Sequence, residues 1–245
     1  MADSGKYAVA IGKIRSDATG DEYSEPEKGL VQHLMIAYFN GWIEWDNALL
    51  GLFFERAPVG LRGQAIDFLK TGFKSVNEKE DEDYKNVVKA RITLYWRNRL
   101  NVVRKNPKQN FEEVVRFCRW VKDSPLEPED TLSLLHETLV LTGGNLGRNV
   151  YIRGFLEGIC KIAEGHELEA IKCLKMSTQD DKAWFYTSGK DRDNIKELLD
   201  DVLKLADNYP EVIEIRKEAK ELADNFGRLR IYDFRDHYNQ LIKNS

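Results

Sequence analysis

The feature that most constrains this chain is its apolar spacing: from Gly29 to Leu241 hydrophobic residues recur every three or four positions, and almost no stretch alternates every second residue. That period gathers apolar side chains on one stripe of a helix and leaves little from which to build strands. Phe111, Val114, Val115, Cys118 and Val121 fall on one such face. Asn110 is expected to cap that helix, with Glu113 three residues later as in a capping box. Pro128 opens the next helix, Glu129 and Asp130 suit its positive end, and Gly143-Gly144 closes it around Leu132, Leu135 and Leu139.

The same grammar continues downstream. Val150, Phe155, Ile159 and Ile162 give a looser stripe, and Leu168, Ile171 and Leu174 follow from His166. Ile195, Leu198, Leu199, Val202 and Leu203 form a regular face from Asp191. Pro210 is expected at the start of a helix through Val212, Ile215, Ala219, Leu222 and Phe226 that Gly227 stops, and a last helix runs from Arg230. These starts, beginning at Asn110 and with one near Gly147, lie roughly 20 residues apart, so a helix pair repeats at about 40, within the range of HEAT and armadillo units. The expected fold is all-α: stacked antiparallel helix pairs, either a HEAT/TPR-like α-solenoid or an irregular helical domain.

Upstream, Leu30 to Phe39 and Ala48 to Phe54 read as helices, Pro58 starts another with Leu61, Ala65, Phe68 and Leu69 inward, and a long helix runs from Asp83 to Val103. Asn77 to Asp83 reads as an exposed loop. Residues 1–28 hold few core positions and are expected to form a loosely packed arm, leaving 29–245 as one helical repeat domain.

Composition narrows the chemistry. A net charge of −4 gives the whole molecule no general attraction for nucleic acid or membrane. The most apolar region, Gly29 to Phe54, contains Glu44, Asp46 and Asn47, which a membrane span would not carry. No signal peptide opens the chain, and Cys118, Cys160 and Cys173 lie in apolar helical patterns, as buried reduced thiols of a cytoplasmic protein do.

Motifs of catalysis are missing. Gly143-Gly144-Asn145-Leu146-Gly147 has neither the preceding strand nor the Lys-Ser/Thr ending of a P-loop. His33, His136, His166 and His237 stand apart without metal-ligand spacing. The acidic runs Glu78 to Asp83 and Asp180-Asp181 read as solvated loops, and no nucleophile elbow occurs. No enzyme, cofactor or metal is expected.

One segment stands above background. Lys85, Lys89, Arg91, Arg97, Arg99, Arg104, Lys105 and Lys108 lie in an interval with no acidic residue, interleaved with Tyr95 and Trp96. Lys89, Arg91, Arg97, Arg99, Arg104 and Lys105 are therefore the candidates for a nucleic-acid-binding alternative, in which cations meet phosphates and rings stack on bases. Because the cations spread around the helix, pairing with acidic neighbours is the preferred reading.

The runs Gly29 to Ile43, Phe53 to Pro58, Leu61 to Leu69, Leu94 to Leu100, Phe117 to Val121, Leu139 to Gly143, Ala170 to Leu174 and Phe226 to Arg235, in that order, resemble the C-terminal α-helical repeat regions of large bacterial proteins. Those are STAND-type P-loop NTPases and sirtuin-like proteins linked to antiphage defence. The resemblance implies a non-catalytic sensor or scaffold that recognises a protein partner, or packs against the rest of a longer parent chain. Binding would then shift an inactive population toward an active one. Residues 1–245 hold no nucleotide-binding or effector domain of that kind, so an independent activity is not expected of them, and the chain reads either as a fragment of a longer protein or as a stand-alone relative.

Overall fold

The computed structural model describes residues 4–14, 24–146, 152–179 and 189–244. The chain is all-α, and no strand occurs among the described residues. Its helices are α1 (Ser4–Gly12), α2 (Glu25–Phe39), α3 (Ala48–Arg56), α4 (Val59–Thr71), α5 (Phe73–Asn77), α6 (Glu82–Lys105) and α7 (Pro107–Val114). After a 3₁₀ turn at Val115–Arg119 come α8 (Pro128–Thr142), α9 (Ile152–Lys161), α10 (Glu167–Ser177), α11 (Gly189–Lys204), α12 (Val212–Arg228) and α13 (Tyr232–Asn244). Among the described residues no helix is long and apolar enough to cross a membrane.

Where sequence reading draws one domain over 29–245, packing groups the chain into two compact units. The first is Met1–Arg116 with Asp123–Leu126, the second Phe117–Lys122 with Glu127–Ser245. The expected arm is also partly built in. Within α1, Ile11 is fully buried, and the helix packs on α2 and α3. α2 begins inside the arm's range, where the backbone N–H and hydroxyl of Ser24 both donate to Glu27, at 2.8 and 2.7 Å. That reciprocal cap fixes the start of α2 four residues before Gly29.

In the first unit α2 packs on α4 and α6, α4 on α7, and α6 on α7, around Tyr38, Phe53, Leu61, Tyr95 and Trp96. The second unit is more regular. α8, α10 and α12 pack in succession, and α9, α11 and α13 do the same. Two rows of alternate helices arise, closed on each other where α12 meets α11 and α13.

Two glycines are needed where chain meets chain in the second unit. Gly144, at φ 79°, lies so close to the Met176 carbonyl that a Cβ would overlap it at 2.2 Å. On α9, a Cβ at Gly158 would stand 2.7 Å from the backbone nitrogen of Lys122. Backbone cannot step aside as a flexible side chain can, so Gly158→Ala is expected to lower stability by ~1–3 kcal/mol. Urea denaturation checks this, and an unchanged midpoint would mean that α9 does not sit on the 117–122 segment.

Several boundaries differ from expectation. Phe111 to Val121 is not one helix. α7 starts at Pro107, and Val115 onward tightens into the 3₁₀ turn. Pro210 does not open α12, because Glu211 adopts a left-handed conformation (φ 59°) and the helix begins at Val212. Gly227 does not stop it, since α12 continues to Arg228. The helix start expected near Gly147, and Val150 with it, lies outside the described residues, as does Asp180-Asp181.

Candidate interaction surfaces

The six basic candidates on α6 divide by direction. Arg99 points inward: its side chain is 4% exposed, and its Nε and Nη2 donate to the two oxygens of Glu113 at 2.5 and 3.0 Å. Glu113 is itself fully buried and also accepts from Arg62 Nε at 2.7 Å. A phosphate cannot reach Arg99. Glu113 was expected in a capping box; instead, one carboxylate takes two guanidiniums, while Arg62 reaches on to the Ala57 carbonyl and Arg99 lies 4.3 Å from the centre of the Phe54 ring. Two fixed guanidinium forks on one carboxylate hold α4, α6 and α7 in a single register.

Arg91 is also turned to the protein. It donates to the carbonyls of Tyr38 and Ile43 at 3.3 and 3.2 Å and to Glu44 at 2.5 Å. Lys85 pairs with Glu82 at 2.6 Å. Arg97, Arg104 and Lys105 are exposed and Lys89 is half-buried, while the side chain of Lys108 lies outside those described. The long basic helix therefore spends at least Arg91 and Arg99 of its six candidate cations on internal structure.

A surface that the sequence did not single out adjoins this helix. Trp42, in the turn between α2 and α3, is 73% exposed, and Val87 and Leu94 on α6 are 51% and 44% exposed. Val87 and Leu94 are two turns apart on one face, with Arg91 between them. The Arg91 guanidinium lies against the backbone on either side of Trp42, bonding Ile43 and approaching within 3.1 Å of where a Gly41 Cβ would stand. It thereby ties the turn that bears Trp42 to the helix that carries that apolar face. The sequence reads Gly29 to Phe54 as two buried helices around a turn; the structure adds that one ring of that turn faces solvent.

The second unit carries an open groove of ≈ 740 Å³ between the ends of α10, α12 and α13, lined among others by Lys175, Glu221, Asn225, Arg228, Tyr232 and Arg235. Lys175 is ion-paired to Glu218 and Glu221, and these carboxylates raise its pKa against the effect of its own burial.

The histidines and thiols have structural settings. His33 is exposed and stands edge-on to Tyr7, His166 precedes α10, and His237 meets Asp200 at 2.6 Å. Burial, reinforced by Lys172, holds His136 below the usual imidazole range. All three cysteines are free thiols, and burial pushes Cys118 and Cys160 up to about 12. Thiols so weakly acidic carry almost no thiolate at neutral pH. Among the described residues, no three His, Cys, Asp or Glu side chains gather as metal ligands would.

No protein-family model matches the chain, and neither curated proteins nor solved structures include a significant match to it.

Proposed function

We propose that this chain is a non-catalytic protein-binding module, and that the first unit makes its contact through Trp42, Val87 and Leu94. The observations that carry this are a tryptophan 73% exposed and two exposed aliphatic residues on one face of α6, with Arg91 of that face bonded to the turn that bears the tryptophan. Large exposed aromatic and aliphatic groups anchor protein interfaces, where tryptophan contributes disproportionately to binding energy. The occupant that fits is an acidic amphipathic segment of a partner protein, or of a longer parent chain. Its apolar side chains would meet Trp42 and Leu94, and its carboxylates the exposed Arg97, Arg104 and Lys105 around them.

The resemblance to the helical regions of defence NTPases and sirtuin-like proteins adds a consequence. Occupying this surface would bias a catalytic part of the same assembly toward its active state. Within the second unit, the two-row stacking of α8 to α13 supports reading it as a helical-repeat scaffold. Nucleic-acid binding is the alternative, and it now rests on Lys89, Arg97, Arg104 and Lys105, because Arg91 and Arg99 are engaged inside the unit.

The test titrates two synthetic amphipathic helical peptides against the full chain, one with glutamates and leucines, the other with lysines replacing the glutamates. The acidic peptide should bind, more weakly as salt rises, and the basic one should not. Trp42→Ser with Leu94→Ser should abolish binding while lowering stability by no more than about 1–2 kcal/mol, since neither side chain is fully buried. Equal affinity for both peptides, or for neither, overturns the proposal. Salt-sensitive binding of DNA or RNA that survives the double substitution, with no peptide binding, favours the alternative.

A further inference from the structure

The groove of the second unit has a different chemistry from the apolar face of the first. Its cations come from three helices: Lys175 from α10, Arg228 from α12 and Arg235 from α13. The two arginines are held in place by what surrounds them. Arg228 donates to the Asn225 side-chain oxygen, and the Asn225 amide in turn donates to the Thr178 hydroxyl at 2.9 Å, tying the arginine to the end of α10. Arg235 lies over the Tyr232 ring at 5.3 Å, and its stem crosses Gly227, where a Cβ would stand 3.2 Å from Cδ.

A bland account covers only part of this. Arg228 ends α12 and Lys175 ends α10, where a cation offsets the negative pole of a helix. Arg235 sits in the first turn of α13, at the positive pole, where the same effect disfavours it. Its nearest carboxylate is the adjacent Asp236, 3.9 Å away. Lys175 is meanwhile matched by Glu218 and Glu221, leaving the two arginine forks with Asp224 as the remaining charged side chain of the lining.

We propose that this groove binds a small hydroxylated phosphate monoester, a sugar or nucleoside phosphate. Two guanidinium forks lining one groove from different helices suit the planar, bidentate recognition of a phosphate dianion. The groove is larger than a bare ion needs, which leaves room for an organic group beside the phosphate. Asp224 and Gln179 offer acceptors and donors for hydroxyl groups, and the half-exposed Tyr232 ring offers an apolar edge for a sugar or base. This site is independent of the protein contact proposed above.

Isothermal titration of the full chain with ribose 5-phosphate, adenosine monophosphate, inorganic phosphate and ribose tests it. The two monoesters should bind, inorganic phosphate more weakly, and ribose not at all. Arg228→Gln with Arg235→Gln should weaken monoester binding at least about tenfold, the scale of one lost charge-assisted hydrogen bond. Both arginines are exposed, so melting of the double variant should match that of the parent and exclude misfolding as the cause. Absence of monoester binding, binding unchanged in the double variant, or ribose binding as well as its phosphate would each overturn the assignment. Equal binding of inorganic phosphate and both monoesters would contradict its second half, showing an anion site that ignores the organic part.

Discussion

Glu113→Gln is expected to destabilise the chain by about 3–5 kcal/mol, the cost of removing one partner from a buried ionic cluster. The carboxylate is fully buried, and it is the acceptor for both Arg62 and Arg99, whose side chains are only 11% and 4% exposed. An amide of the same shape keeps one acceptor oxygen, but it removes the negative charge that two desolvated guanidiniums share. Its neighbour provides the control: Glu112 is exposed, so Glu112→Gln should leave stability within ~0.5 kcal/mol. The cluster is not expected to be the most stable solution available. Replacing Arg62, Arg99 and Glu113 together by Met, Met and Leu should be near neutral or stabilising, because the cost of burying three charges disappears with them. Chemical denaturation of the three variants separates the cases, and a Glu113→Gln chain that melts like the parent would show that the cluster does not form.

Trp96→Ala and Phe226→Ala should each cost about 3–5 kcal/mol, by loss of buried surface and by the cavity left behind. Trp96 is fully buried in the first unit, on the face of α6 that also carries Ile92, Leu100 and Val103. Phe226 is fully buried in the second unit, its ring centre 4.3 Å from that of Phe234. Thermal melts decide both. Trp42→Ala, by contrast, should leave the melt nearly unchanged, and that contrast between two tryptophans separates core from surface more sharply than either substitution alone.

Most of the helical outline could be read from residue order, because it depends on local rules. Pro128 at the first position of α8 and left-handed Gly143 at its end act within one turn of themselves. Boundaries failed where the deciding fact was less local. An apolar stripe from Phe111 to Val121 fits a continuous helix, yet Pro107 in the first turn of α7 already marked an earlier start. Glu211 takes a left-handed backbone conformation for which its side chain gives no signal, which moved α12 past Pro210.

The candidate sites were less legible, since they depend on which side of a helix faces inward. Arg99 does carry a local sign of its role. It follows Trp96 by three residues and precedes Val103 by four, so a charge occupies a core position and demands a buried partner. That partner, Glu113, is 14 residues away on another helix and was read as a cap. Trp42 gave no such sign, because hydrophobicity alone does not distinguish a ring in the core from one at a turn. The groove residues Lys175, Arg228 and Arg235 are spread over three helices and become neighbours only through packing.

The central claim is that the first unit meets its partner through the tryptophan loop and the outer face of α6. Amide hydrogen exchange, followed along the chain with and without the acidic amphipathic peptide, tests it most directly. The account predicts slowed exchange over residues 40–47 and 86–98 and none over α8 to α10. Protection confined to other segments, or no protection from a peptide that binds, would contradict it.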